Sequence, residues 1–283
     1  MSQGLSKVNT AGMMTDLDSN APIGVFDSGW GGLSVLGHIQ QHLPSESYIY
    51  VADTGHLPYG PKSPGYVIGR AERIAAFLLE RGAKALVVAC NTATAAAIAV
   101  LRESLTIPVI GIEPGVKPAL AQSHSGTVGV LATEGTLGSE KFRRLISQHG
   151  QLGRVIVQPC HGWVELVEQG ALDTPQAYRL VAEPVGSLLS QGADTLVLGC
   201  THYPFLSSLI RQVAGPDVLI IDTGQAIAQE LHRRLSQARL VRESQGSGQV
   251  EYWVSGDPEA VKGAIQPLLG TPLLARQLPP QWR

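Results

Sequence analysis

Two stretches of the chain decide how it folds: RGAKALVVACNT at residues 81–92 and QGADTLVLGCTH at residues 191–202. When the second is placed under the first at a constant offset of 110 residues, a glycine, an alanine, several apolar positions and a cysteine coincide. Each stretch contains a short apolar run that predicts a buried strand, and each run ends on a cysteine, Cys90 or Cys200. We infer two similar lobes, each with a thiol at the end of the same strand.

The rest of the chain continues this alternation of short apolar runs and helical patterns. Strands are predicted in APIGVFDSG, SYIYVADTG, AKALVVAC and IPVIGIEP, then in TVGVLAT, GRVIVQP, DTLVLGC and DVLIIDT, with a closing strand at 250–255. A helix is predicted over 66–81, with its apolar residues on one face. The pattern predicts an α/β fold of two similar lobes, with parallel-rich sheets flanked by helices. Ligands of such sheets bind at the carboxyl ends of the strands.

The composition excludes several classes of protein. The chain has 283 residues, of which 44% are hydrophobic and 16% charged, and its formal net charge is −2. That balance offers no basic surface for nucleic acid or an anionic membrane. No apolar run is long enough to span a bilayer. Residues 1–20 lack the apolar core of a signal peptide, so we expect a disordered tail and a cytoplasmic protein.

Three cysteines, Cys90, Cys160 and Cys200, are too few for a disulfide framework. Free thiols are usually buried apolar filler, and this is the alternative to any chemical role. Cys90 and Cys200 each follow a strand and precede a helical stretch, where the helix dipole and backbone N–H groups favour a thiolate. We expect Asn91 or Thr92 near the cap of the first of these helices.

Two opposed thiols suit a racemase. Such an enzyme removes a proton from one face of a carbon and returns one on the other, with two acid/base groups that exchange roles. A single thiol would suit a hydrolase or transferase instead. A disulfide switch is a further alternative, but its Cα atoms would lie about 4.4–6.8 Å apart, too close to hold a substrate between them. The candidate partners are Asp27 and Asp53 for Cys90, and Glu168 and His202 for Cys200. Each alone could be an ordinary cap, turn or structural residue.

The sequence predicts neither a cofactor nor a metal. DSGWGGLS at residues 27–34 is glycine-rich but lacks the dinucleotide and Walker patterns, so we expect a tight turn that exposes backbone N–H groups. No C-x-x-C pair occurs. Amide, hydroxyl and backbone donors hold carboxylates without an arginine. The candidate donors lie in LPYG (Pro58, Tyr59, Gly60), in CNT and CTH, and at Thr133 and Thr136.

Several motifs together resemble the glutamate racemases, cofactor-independent members of the aspartate/glutamate racemase superfamily. The motifs are GVFDSGWGGLSVL, YVADTGHLPYGPKS, ACNTATA, VIGIEPGVKPA, ATEGT and LGCTHYPFL, in the family's order, and the resemblance covers about residues 23–270. It implies two lobes related by a pseudo-twofold axis with the active site in the cleft between them. The implied lobes are 21–114 with 224–283, and 115–223. It also implies a homodimer and a product, D-glutamate, that feeds peptidoglycan synthesis.

The resemblance also implies roles for individual residues. Cys90 would remove the α-proton of D-glutamate and Cys200 that of L-glutamate. Asp27 and Asp53 would assist the first thiol, and Glu168 and His202 the second. The residues implied to hold the substrate are Asp27, Ser28, Tyr59, Gly60, Asn91, Thr92, Thr201 and His202.

One stretch departs from the family's pattern. Before Glu168 the family tends to have an apolar segment, whereas this chain has PCHGWVELVE at 159–168. Cys160 and His161 suggest a third reactive thiol, but nothing at an equivalent strand end supports one, so we expect Cys160 to be apolar filler. A racemase acting on aspartate, and a non-catalytic protein of the same fold that binds a ligand or inhibits a partner, remain open alternatives.

Overall fold

Strands and helices alternate along the chain, as the sequence predicts. The protein is described by a computed structural model for residues 17–243, 246–260 and 273–283. The strands are β1 (Ile23–Asp27), β2 (Tyr48–Ala52), β3 (Ala85–Val88), β4 (Val109–Gly111), β5 (Thr127–Ala132), β6 (Arg154–Pro159), β7 (Thr195–Gly199), β8 (Leu219–Ile221), β9 (Val250–Val254) and β10 (Ala275–Gln277). The helices are α1 (Leu33–His42), α2 (Pro64–Glu80), α3 (Asn91–Ser104), α4 (Val116–Gln122), α5 (Glu134–Leu137), α6 (Glu140–His149), α7 (Trp163–Glu168), α8 (Pro175–Ser190), α9 (Ser207–Ala214) and α10 (Gly224–Ala238).

The strands form two sheets whose described pairings are all parallel. The first has the order β10-β9-β2-β1-β3-β4 and the second the order β6-β5-β7-β8. The order β2-β1-β3-β4 in the first sheet therefore recurs as β6-β5-β7-β8 in the second. This confirms the predicted α/β class and the internal repeat. Strand β10 was not predicted, because its sequence, ARQ, has no apolar run.

The turns that open the two quoted stretches have the same geometry. Helices α2 and α8 are both followed by a glycine with positive φ, 77° at Gly82 and 91° at Gly192. In both turns the alanine after the glycine donates its N–H to a leucine carbonyl in the last helical turn, that of Leu78 or Leu188. Glycine populates this left-handed region without steric cost, so each helix ends at the same point and the chain turns into a strand.

The packing of these two helices also repeats. A Cβ at Gly24 would lie 2.9 Å from Leu78 Cδ1, and a Cβ at Gly129 would lie 2.7 Å from Leu188 Cδ1. The two glycines pair with Leu86 and Leu196, which are equivalent in the repeat. Only glycine leaves room for a leucine this close to the central strand.

Helices cover both faces of each sheet. On the first sheet, α1 and α10 pack in one apolar cluster and α2 and α3 in another. On the second sheet, α7, α8 and α9 pack on one face, and α4 and α6 on the other. Strands such as β1 and β7 are buried throughout and mostly apolar because both of their faces are covered.

The strands of the first sheet fall within 21–114 and 224–283, and those of the second within 115–223. The division into two domains at these residues stays a prediction. Residues 1–16 of the predicted tail lie outside the described residues. Within the rest of that tail, the backbone carbonyl of Ser19 accepts a hydrogen bond from Lys84 Nζ at 2.5 Å. Near the other end, Trp282 is half-buried against the apolar cluster of α2.

Candidate active site

A cavity of about 230 Å³ lies where strands of both sheets end. Of the residues predicted to form the site, those that line it are Ser28, Pro58, Tyr59, Gly60, Cys90, Asn91, Thr92, Thr133, Cys200, Thr201 and His202. The lining residues that sequence reasoning missed are Pro61, Glu134, Cys160, His161, Gly162, Val164 and Glu165. Both Cys90 and Cys200 therefore line one cavity, from opposite sheets.

Cys90 is the N-cap of α3, the position predicted for Asn91 or Thr92. Its Sγ accepts the N–H of Ala93 at 3.4 Å and lies 3.7 Å from Ser28 Oγ. Burial raises the pKa of the Cys90 thiol well above its ordinary value, and the charge of Asp27 adds to this effect. The N–H of Ala93 at the helix N-terminus acts in the opposite direction but is outweighed, so the surroundings favour the protonated thiol at Cys90.

Asp27 lies behind this thiol, buried at the end of β1, and does not line the cavity. Its carboxylate accepts the N–H groups of Ser28 at 2.7 Å and Gly32 at 2.5 Å, and the hydroxyl of Thr201 at 3.1 Å. Burial raises the pKa of Asp27, while His202 and the hydrogen bonds favour its charged form. Thr201 lies in the turn after β7, next to Cys200. Its hydrogen bond to Asp27 therefore links the end of β1 in the first sheet to the turn that carries the second thiol.

The second thiol ends a chain of three polar side chains. Cys200 Sγ lies 3.7 Å from His202 Nδ1, and His202 Nε2 lies 2.7 Å from Glu168 Oε1. Glu168 also accepts the N–H of Trp30 at 2.7 Å. Burial lowers the pKa of His202, but hydrogen bonds to Cys200 and Glu168 outweigh it and raise that pKa well above its ordinary value. A protonated His202 supplies the counter-charge that a Cys200 thiolate requires.

Asp53 is held away from the cavity in a separate cluster. Arg70 binds its carboxylate through two nitrogens, Nε at 2.9 Å and Nη2 at 2.8 Å, and the Tyr59 hydroxyl donates to it at 2.5 Å. Because Tyr59 lines the cavity, its hydrogen bond to Asp53 links that carboxylate to the site indirectly. Sequence reasoning missed Arg70, which sits on the buried face of α2.

The unsatisfied side chain of Asn91 indicates a ligand-binding position. Its side chain is 4% exposed, and neither its amide nitrogen nor its amide oxygen has a hydrogen-bond partner within the described residues. A buried amide without partners is unfavourable unless a ligand or water satisfies it. Beside it, Thr92 Oγ1 lies 2.9 Å from Thr133 Oγ1 and 3.4 Å from Thr136 Oγ1. Thr136 lies behind Thr133 and does not line the cavity.

Comparison with known proteins identifies the family. The family model described as Asp/Glu/Hydantoin racemase matches residues 23–231. The chain belongs to this family. It is 57% identical over 238 residues to a glutamate racemase of Methylococcus capsulatus, covering 84% of this chain and 88% of that protein. Among solved structures, a glutamate racemase isoform from Bacillus anthracis superimposes with a TM-score of 0.85 at 34% identity, covering 93% of this chain and 99% of the other. A glutamate racemase from Francisella tularensis, solved in complex with D-glutamate, has a TM-score of 0.80 at 29% identity, with 92% and 98% coverage.

Within this racemase fold, Cys160 occupies a position that sequence reasoning did not find. It directly follows β6, and the register of β6 against β5 makes it the counterpart of Asp53, which directly follows β2. The equivalent strand end carries a carboxylate rather than a thiol, so the expectation that Cys160 is apolar filler stays a prediction. The offset between these two residues is 107 rather than 110, so the alignment of the quoted stretches does not reveal it.

Three further observations concern disulfides, metal sites and membrane-spanning helices. All three cysteines are free. His38 and His42 have a metal-ligand spacing on α1 that the sequence prediction overlooked, but no group of three or more metal-binding side chains occurs among the described residues. The helices of the described part of the chain are all too short or too polar to cross a bilayer.

Proposed function

We propose that the chain is a glutamate racemase that interconverts L- and D-glutamate by proton transfer between two cysteines. The observation that carries the proposal is the placement of Cys90 and Cys200, which follow equivalent strands of the two sheets and line one cavity. The membership of the Asp/Glu racemase family and the names of the relatives support the same chemistry.

The two thiols differ in their surroundings, and this suggests which of them acts as the base in each direction. Burial raises the pKa of Cys90 and favours its protonated thiol, whereas the charged His202 lies 3.7 Å from Cys200 Sγ as a counter-charge. In this state Cys200 acts as the base toward L-glutamate, and Cys90 returns a proton to the opposite face of the α-carbon. The reverse reaction exchanges these roles. Glu168 keeps His202 charged and oriented, as a carboxylate does for a catalytic imidazole.

The substrate's carboxylates are held by uncharged donors. The unpartnered amide of Asn91, the hydroxyls of Ser28, Thr92 and Thr133, and backbone groups near Gly60 line the same space. Neither lysine nor arginine lines the cavity within the described residues, so hydrogen bonding replaces an ion pair there. Thr136 supports Thr92 and Thr133 from behind.

The remaining parts of the proposal come from the family resemblance. They are the assistance of Cys90 by Asp27 and Asp53, catalysis without a cofactor, a cytoplasmic homodimer, and supply of D-glutamate to peptidoglycan synthesis. Asp53 is proposed to act through Tyr59, because Arg70 occupies its carboxylate.

The decisive experiment is proton NMR of L-glutamate in D₂O with the purified, reduced protein and no added cofactor. We expect the α-proton signal to disappear as solvent deuterium replaces it, and a parallel L-aspartate sample to stay unchanged. Loss with aspartate alone would identify an aspartate racemase. No loss with either substrate would favour the non-catalytic alternative.

The same assay tests the two thiols separately. C90S and C200S are each expected to abolish racemisation in both directions, because each removes one of the two acid/base groups. C160S is the matched control: it removes a cavity thiol to which the mechanism assigns no role, and we expect it to keep turnover. Wild-type turnover in either C90S or C200S would rule out the two-thiol mechanism.

A further inference from the structure

The mouth of the cavity is acidic, and this conflicts with the charge of the proposed substrate. Glu134 and Glu165 both line the cavity and are exposed. Glutamate carries two carboxylates and one ammonium group, so it enters as a net anion. Two carboxylates at the opening would repel it at low ionic strength. The inference below rests on the proposed function.

His161 is the exposed base among the described lining residues. Its side chain is 70% exposed, whereas His202 is buried deep in the site. It sits in the turn between β6 and α7, where Gly162 has a φ of 79° and the buried Trp163 donates its indole N–H to the Leu180 carbonyl at 2.9 Å. The turn is therefore anchored through Trp163, and the imidazole lies at the opening.

The imidazole already faces a carboxylate, but loosely. His161 Nε2 lies 3.6 Å from Glu134 Oε1. This is longer than a hydrogen bond, for which N–H···O distances are about 2.7–3.2 Å. The nitrogen thus has a carboxylate as its neighbour without forming a short bond to it, and a carboxylate of the substrate could displace it.

We propose that His161 is a substrate-binding residue that receives a carboxylate of the incoming substrate at the mouth of the cavity. A carboxylate of the substrate replaces the carboxylate of Glu134 as the partner of His161. His161 lines the wall near Cys160 and does not contact either catalytic thiol in the described hydrogen bonds, so its contact stabilises bound substrate and transition state equally. Such uniform binding changes KM and leaves kcat unaltered.

The test is steady-state kinetics of the full chain with both enantiomers of glutamate. H161A is expected to raise KM by about fivefold or more for both enantiomers, because it removes one hydrogen bond to the substrate. We expect kcat to stay within about twofold of wild type. H161K provides an N–H donor at the same position and is expected to bring KM back toward the wild-type value. E134Q removes one repelling carboxylate and frees His161, so it is expected to lower KM.

H124A is the matched control, since His124 is an exposed histidine in the loop before β5 and outside the cavity. We expect it to leave both constants unchanged. An unchanged KM in H161A, or a KM that H161K fails to lower relative to H161A, would overturn the role of His161 while leaving the proposed racemase intact. An inactive wild-type protein would instead overturn the proposed function.

Discussion

At the scale of single residues, the pair of His202 and Glu168 carries a pH-dependent contribution. The pKa of His202 is raised in the folded protein, so its proton stabilises the fold fully below the unfolded pKa of about 6.5. That contribution is lost as the pH rises through the folded pKa. The charge on the imidazole therefore depends on the carboxylate of Glu168, at the C-terminal end of α7.

E168Q is expected to lower the pKa of His202, because it removes one of the two partners that raise it. A histidine Cε1–H titration by NMR measures this directly. The unfolding free energy lost in E168Q should be greatest at and below about pH 6.5 and should shrink at higher pH. E165Q changes a carboxylate one turn earlier on the same short helix and should leave the His202 titration unaltered. An equal shift in both variants would show that the effect is not specific to the 2.7 Å contact.

Arg70 is a second residue whose removal has a defined cost. Its side chain and that of Asp53 are 7% and 0% exposed, and they form a bidentate pair. R70M leaves the carboxylate buried without its counter-charge, and we expect a loss of about 3–5 kcal/mol in unfolding free energy by urea denaturation. R73M, on the exposed face of the same helix, is expected to change stability by less than about 0.5 kcal/mol. A small effect in R70M would contradict the argument that the buried carboxylate needs the guanidinium as its partner.

At the scale of secondary-structure elements, the repeat makes a paired prediction. G24A and G129A each place a methyl group within 3 Å of a leucine on the covering helix, and we expect a loss of about 1–3 kcal/mol from each. Gly37, inside α1, has no atom within 4 Å of an added Cβ, so G37A should stabilise by up to about 1 kcal/mol through helix propensity. Thermal unfolding of the three variants checks this. Equal destabilisation by all three would contradict the packing argument.

Most elements could be predicted from the sequence, since the apolar runs and their spacing follow directly from burial on both faces of a parallel sheet. The N-cap of α3 could not. A cysteine is rarely chosen as a cap, and propensity favours the asparagine or threonine that follow it. The predicted closing strand at 250–255 is confirmed as β9, while the three-residue β10 owes its existence to pairing with β9 rather than to its own residues.

At the scale of the whole molecule, sequence reasoning named many of the residues that line the cavity but not how they meet. The hydrogen bond between Trp30 and Glu168 joins positions 138 residues apart, and no local pattern encodes it. The same is true of Thr201 with Asp27. Only the residues that follow strands could be assigned to a common edge in advance. The exposed residues at the mouth, such as His161 and Glu134, belong to turns with no periodicity.

The two thiols of this molecule are served by unlike groups, a helix N-terminus and a hydroxyl at Cys90 and an imidazole–carboxylate pair at Cys200. Enantiomers have equal free energies in water, so a racemase cannot favour either one at equilibrium, however unequal its two halves are. The Haldane relation then forces kcat/KM to be the same in both directions. Any asymmetry between the lobes must appear as compensating differences in kcat and in KM, and no substitution in either lobe can separate the two specificity constants.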